Sequence, residues 1–137
     1  MKKIAYIALF FLTGIIISWF LGDLIEVISG SAGKLTAARD ISAAQEYYAG
    51  GNYSQALDEY KKALDKISPS DKKLLAKVKN NMALCVFQTA FDNKDVKGMR
   101  DSLPLFEESL ALYKEVGDTE SAQQVETNIA EAKKQIK

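Results

Sequence analysis

EYYAGGNYSQALDEYKKAL, Glu46 to Leu64, reads as the end of one helix, a tight turn and a second helix folding back. Tyr53, Ala56, Leu57, Tyr60, Ala63, Leu64 and Ile67 recur at helical spacing and make one apolar stripe. Gly50-Gly51-Asn52 supplies the turn, because Gly and Asn tolerate the backbone angles that stop a helix. Ala56 and Ala63 lie one heptad apart, so a second helix can approach closely at both. The pattern predicts a stacked helical hairpin.

With Ala44 ahead of it and Pro69 behind it, the set Tyr47, Gly51, Tyr53, Ala56, Tyr60 and Ala63 resembles the tetratricopeptide repeat (TPR), a helix–turn–helix unit. The alanines fall at the family's small positions and the tyrosines at its large ones. The resemblance implies an opening helix from about Leu35 or Thr36 to Ala49 and a closing helix from Tyr53 to Ile67. Downstream, Ser68-Pro69-Ser70-Asp71 reads as a capping box with Pro69 in the first helical position. The next helix carries Leu74, Leu75, Val78, Met82, Cys85 and Val86 on one side, and Asn81–Phe87 resembles the opening helix of a second repeat. Leu103, Phe106, Leu110 and Tyr113 fit its closing helix, but in a frame displaced by about seven residues relative to the opening one. The polar segment Phe91–Arg100 therefore reads as a longer helix end plus a loop. Pro104 implies that the closing helix starts late, near Ser102, or is kinked. Gly117-Asp118-Thr119 ends it and caps a last helix with a narrow stripe of Ala122, Val125, Ile129, Ala132 and Ile136. Together these imply an all-α, short TPR-like α-solenoid over 35–137: two helical hairpins plus a C-terminal capping helix.

Upstream, Ile4 to Gly22 has no charged residue, and a helix of that length spans roughly 28 Å, close to a bilayer core. Lys2 and Lys3 precede it, and Trp19 and Phe20 stand near its far end. The expected organisation is a single transmembrane anchor with a juxtamembrane extension (1–28), a short linker (29–34) and the helical domain. The positive-inside rule puts the N-terminus in the cytoplasm and the helical domain outside it. A cleaved signal peptide, with Gly30-Ser31-Ala32 as the cleavage site, is the alternative, and it exports the domain as well. Gly14, Ser18 and Gly22 line one face of the span and are candidates for helix packing in the bilayer.

Lys plus Arg and Asp plus Glu each total 18, so no net positive charge points to nucleic acid. The chain has no His, and its one cysteine, Cys85, sits in an apolar run expected to be core. No nucleophile–base pair, metal-ligand spacing or phosphate loop appears, so no catalytic residue, metal or cofactor is expected and an enzyme is disfavoured. In the TPR family the opening helices line a concave groove. The resemblance places Ala38, Ile41, Gln45 and Tyr48 there from the first repeat. Lys77, Asn80, Leu84 and Phe87 come from the second, and Gln124, Thr127, Glu131 and Lys134 from the cap. A family clamp for C-terminal carboxylates is not matched: only Asn81 has the type it needs. The functional expectation is a membrane scaffold that mediates protein–protein interaction or complex assembly. A permanent subunit of a larger membrane complex and a self-assembling homo-oligomer are the alternatives. The bilayer is an expected partner of the N-terminal helix.

Overall fold

A computed structural model describes residues 32–137; among these, every regular element is a helix. Residues 32–49 are helical (α1) and are followed by α2 (Tyr53–Leu64) and α3 (Lys72–Asp92). Then come α4 (Val96–Asp101), α5 (Leu103–Glu115) and α6 (Thr119–Gln135). Residues 34–137 form a compact unit of their own. None of the described helices is long and apolar enough to cross a membrane. The anchor expected over Ile4–Gly22, with Gly14, Ser18 and Gly22, lies outside the described residues. Ala32, Gly33 and Lys34, read from the sequence as linker, are already helical.

The α1–α2 turn forms as its glycines dictate. Gly51 has φ 76°, the amide of Asn52 donates to the Tyr47 carbonyl (2.8 Å), and that of Gly51 to Tyr48 (3.0 Å). This pair of bonds satisfies the last carbonyls of α1. The same motif closes α5, with Gly117 at φ 71° and Asp118 donating to Tyr113 (3.0 Å). It also closes α3, where Asp95 donates to Ala90 (2.8 Å) and a lysine, Lys94, takes the left-handed position at φ 55°.

α2 ends at Leu64, before the expected Ile67, and the amides of Lys66 and Ile67 turn back onto Ala63 and Leu64. Ile67 is buried all the same. The expected capping box at Ser68 is corrected. Ser68–Asp71 is a turn, closed by the amide of Asp71 on the Ser68 carbonyl (2.9 Å). α3 starts at Lys72, with the Asp71 carboxylate accepting from the amide of Leu74 (3.3 Å). Asp71 sits closer to the first free amides and carries charge, so it caps better than the hydroxyl three residues earlier.

α3 is the central element. Val78, Met82 and Cys85 join Ala37, Ile41, Ala44, Ala56, Tyr60, Ala63 and Ile67 in a core shared by α1, α2 and α3. Ala76 and Ala83, on its other side, join Phe106, Tyr113, Ala122, Val125 and Ala132 in a core shared with α5 and α6. A helix buried on two sides shows no single apolar face, which is why α3 reads less clearly than α2.

The loop expected in Phe91–Arg100 is partly a helix. α3 continues to Asp92, and α4 lies against its C-terminal end through the contact of Gly98 with Ala90. α5 then starts late, with Pro104 in its first turn, where its missing N–H leaves no helical bond unmade. The Ser102 hydroxyl donates to the Met99 carbonyl (2.7 Å) and closes the join between α4 and α5. The Ser109 hydroxyl, fully buried, donates to the Ala76 carbonyl of α3 (2.7 Å). A serine thus serves as the small residue that lets α5 approach α3.

Candidate interaction cleft

A cleft of about 310 Å³ opens where α1, α2 and α3 meet, lined by Gln45, Tyr48, Tyr60, Asn81 and Leu84. Gln45 and Tyr48 project from the last turns of α1, fixed there by Ala37, Ile41 and Ala44 on its buried side. The Tyr48 ring stands edge-on to Tyr53 with centroids 5.1 Å apart, which holds it at the cleft wall. Tyr60 forms the floor: its ring is in the core, only 2 % of the residue is exposed, and its hydroxyl accepts from the Asn81 carboxamide (3.1 Å).

That bond is the end of a line of side-chain hydrogen bonds crossing three helices. The Gln124 amide donates to Asn128 (3.4 Å), Asn128 to Asn80 (3.1 Å), Asn80 to Asn81 (3.4 Å), and Asn81 to Tyr60. Each of the three asparagines uses one N–H and one C=O in the same direction, so the bonds polarise one another. Both the Gln124–Asn128 and Asn80–Asn81 bonds are long; the strong members are the two that join different helices.

The sequence-derived groove residues separate on this geometry. Gln45, Tyr48, Asn81 and Leu84 come together at the cleft. Asn80 stands beside them in the polar line, and Lys77 is exposed one turn before Asn81. Ile41 does not line the cleft: it is buried in the core of α1, α2 and α3, because its apolar branched side chain gains more from burial than from solvent contact. Phe87 is half-buried against the core of α3, α5 and α6 and stacks on Phe91 with centroids 5.9 Å apart. Ala38, Gln124, Thr127, Glu131 and Lys134 are exposed.

Tyr60 is the residue that sequence reasoning assigned to packing alone. Phe106, the aromatic at the matching place in the second hairpin, is equally buried and has no hydroxyl. That difference between the two hairpins was the available signal: a tyrosine in a core usually needs a partner for its oxygen.

Burial raises the Tyr60 phenol above its ordinary value, as it does for Tyr48, so both remain neutral donors at physiological pH. The Cys85 thiol, wholly buried below the cleft, is pushed up to about 12 by the same desolvation and is no nucleophile at neutral pH. Most lysines on α3 are paired across helices: Lys72 with Glu115, Lys73 with Asp118 (2.7 Å) and Lys79 with Glu108 (2.5 Å). Lys77 has no ion pair among the described residues, and no acidic side chain lines the cleft. Among the described residues no three His, Cys, Asp or Glu side chains gather as a metal site would require. No family model, curated protein or solved structure matches the chain.

Proposed function

We propose that the chain is a membrane-anchored, TPR-like scaffold that holds another polypeptide in the cleft between its first and second hairpins, on the non-cytoplasmic side of the membrane. The single observation that carries this reading is the cleft itself. Its lining comes from three helices, combines an aromatic wall with uncommitted amide and hydroxyl groups, and is built on a rigid core. Such a surface suits a peptide held by hydrogen bonds and aromatic contact. The TPR-like solenoid reading rests on the repeat pattern around Ala44–Ala63 and on α3 being shared by two cores. The anchor rests on the uncharged run Ile4–Gly22 and the lysines before it.

The test is site-specific photo-cross-linking in intact membranes, with a benzoylphenylalanine in place of Tyr48 or Phe87. A defined adduct with a second protein, identified by mass spectrometry, is expected. An adduct with a second copy of the chain indicates a homo-oligomer instead, and the absence of any protein adduct at both positions sinks the scaffold reading. Protease added outside intact cells or spheroplasts should digest Lys34–Lys137. Protection until the cytoplasm is opened refutes the proposed compartment.

A further inference from the structure

A tyrosine hydroxyl can give or take a hydrogen bond, and a carboxamide presents a donor at one end and an acceptor at the other. Which end of Asn81 meets Tyr60 is decided outside the cleft. The Asn81 oxygen is engaged by Asn80, so the Asn81 N–H turns to Tyr60. The Asn80 oxygen is engaged in turn by Asn128 of α6, so the Asn80 N–H turns to Asn81. Neither Asn80 nor Asn128 lines the cleft. Two senses of the line satisfy the same side chains. In the observed one, Tyr60 accepts from Asn81 and its own proton has no acceptor among the described residues. With every amide turned over, Tyr60 would donate to Asn81 and keep no proton for the cleft. Asn81 retains one spare N–H and one spare lone pair in either sense, so the two senses differ at the cleft by the Tyr60 proton. Burial raises the Tyr60 phenol, and the bond from Asn81 lowers it, as a bond received by its oxygen should.

We infer that Asn128 is a positioning residue for the cleft: acting through Asn80, it fixes the sense of the line and leaves the Tyr60 proton available to an acceptor on the bound polypeptide. This rests on the scaffold reading and assigns a role within the same site. The control runs from the end of the domain to a side chain on α2, because the bonds between helices, Asn128 to Asn80 and Asn81 to Tyr60, are each 3.1 Å. Asn80 and Asn81 are neighbours on α3, and the bond between them is long at 3.4 Å. The effect at Tyr60 is therefore that of one ordinary hydrogen bond and no more. A cleft whose floor is oriented before the polypeptide arrives spends less of the binding energy on ordering it.

The experiment uses the full chain in detergent micelles, with asparagine side-chain amides and tyrosine rings isotope-labelled for nuclear magnetic resonance. Asn128→Asp keeps the shape but can only accept. Asn80 must then turn its N–H to position 128, Asn81 its N–H to Asn80, and Tyr60 its proton to Asn81. A nuclear Overhauser contact between the Asn81 amide protons and the Tyr60 ring is expected in the native chain and should be lost in Asn128→Asp. The Tyr60 hydroxyl should exchange with solvent about threefold or more slowly in that variant, once an ordinary hydrogen bond holds its proton. Asn80→Asp, which accepts from both Asn128 and Asn81, should produce the same two changes and keeps the test valid if Asn128→Asp does not fold. Thr127→Asp places the same charge at the adjacent exposed position of α6, off the line, and should produce neither. A purely structural role for Asn128 would lower stability without moving Tyr60 from one end of Asn81 to the other. A native chain lacking the Overhauser contact overturns the inference. So do readings unchanged in both line variants, and equal changes in Thr127→Asp. No partner is needed for either measurement. A redirected line with no partner cross-linked leaves the control of Tyr60 standing and removes the scaffold; a captured partner with an unresponsive line does the reverse.

Discussion

The carboxamide of Asn128 donates to the side-chain oxygen of Asn80 across 3.1 Å, joining the last helix to the central one. Direct packing between these two helices is slight, since α6 lies mainly on α5 and α3 mainly on its own hairpin neighbours. The bond therefore adds a polar tie between the end of the domain and the cleft, beside the apolar core in which α3 and α6 both take part. Asn80→Ala and Asn128→Ala should each cost about 1 kcal/mol in urea unfolding, the ordinary net value of one such bond. A double-mutant cycle should return a coupling of about 0.5–1.5 kcal/mol. Strictly additive losses contradict a direct bond.

Ser109 tests how closely α5 approaches α3. Ser109→Ala keeps the space and removes the bond to the Ala76 carbonyl, with an expected loss of about 1 kcal/mol. Ser109→Leu forces a large side chain against a fully buried alanine and should cost at least about 3 kcal/mol or prevent folding. Thermal unfolding followed by circular dichroism measures both. Comparable stability of the two variants would mean that the helices can separate freely here.

The turn after α3 offers two opposite glycine effects. Lys94 sits at φ 55°, where a side chain is strained, so Lys94→Gly should stabilise by about 0.5–1 kcal/mol. Four residues later, a Cβ on Gly98 would stand 2.8 Å from the Ala90 Cβ, in the middle of the α3–α4 contact. Gly98→Ala should therefore destabilise by about 1–3 kcal/mol, although alanine is the better helix former. Denaturant midpoints decide, and a gain at Gly98 refutes the close contact.

The Lys73–Asp118 pair makes stability depend on pH at both extremes. The hydrogen bond from Lys73, followed by the amide of Ser121, holds the Asp118 carboxyl below its ordinary value. Its contribution is present above the unfolded value of 3.8 and disappears as pH falls through the lower folded value. Asp118 in turn raises Lys73, whose contribution is complete below 10.5 and is lost as pH rises through the higher folded value. Asp118→Asn keeps the helix cap, because Asn caps as well as Asp, and removes the pair. Its thermal midpoint should fall modestly at neutral pH and change less than wild type between pH 4 and 2, with the difference shrinking in about 1 M salt. An unchanged acid slope refutes the assignment.

Helices and turns were open to reading from residue order because their causes are local. The stripe from Tyr53 to Ile67 follows from a period of 3.6 residues, and Gly51 and Gly117 end helices through backbone angles set at single positions. Pro104 marked a late start for α5 because a ring without an N–H fits only the first turn. The short helix α4 escaped notice: its polar segment carries no stripe, and its place is set by Gly98 against Ala90, a contact invisible in residue spacing. The cleft was half legible. Gln45, Tyr48, Asn81 and Leu84 were placed by resemblance, whereas Ile41 went to the core and Tyr60 came from it. The polar line could emerge only in three dimensions, since it joins residues 21 and 48 positions apart. Half-exposed Asn and Gln have no periodicity to betray them; which amides meet depends on the packing register of three helices, and that register is chosen by the buried alanines and aromatics between them.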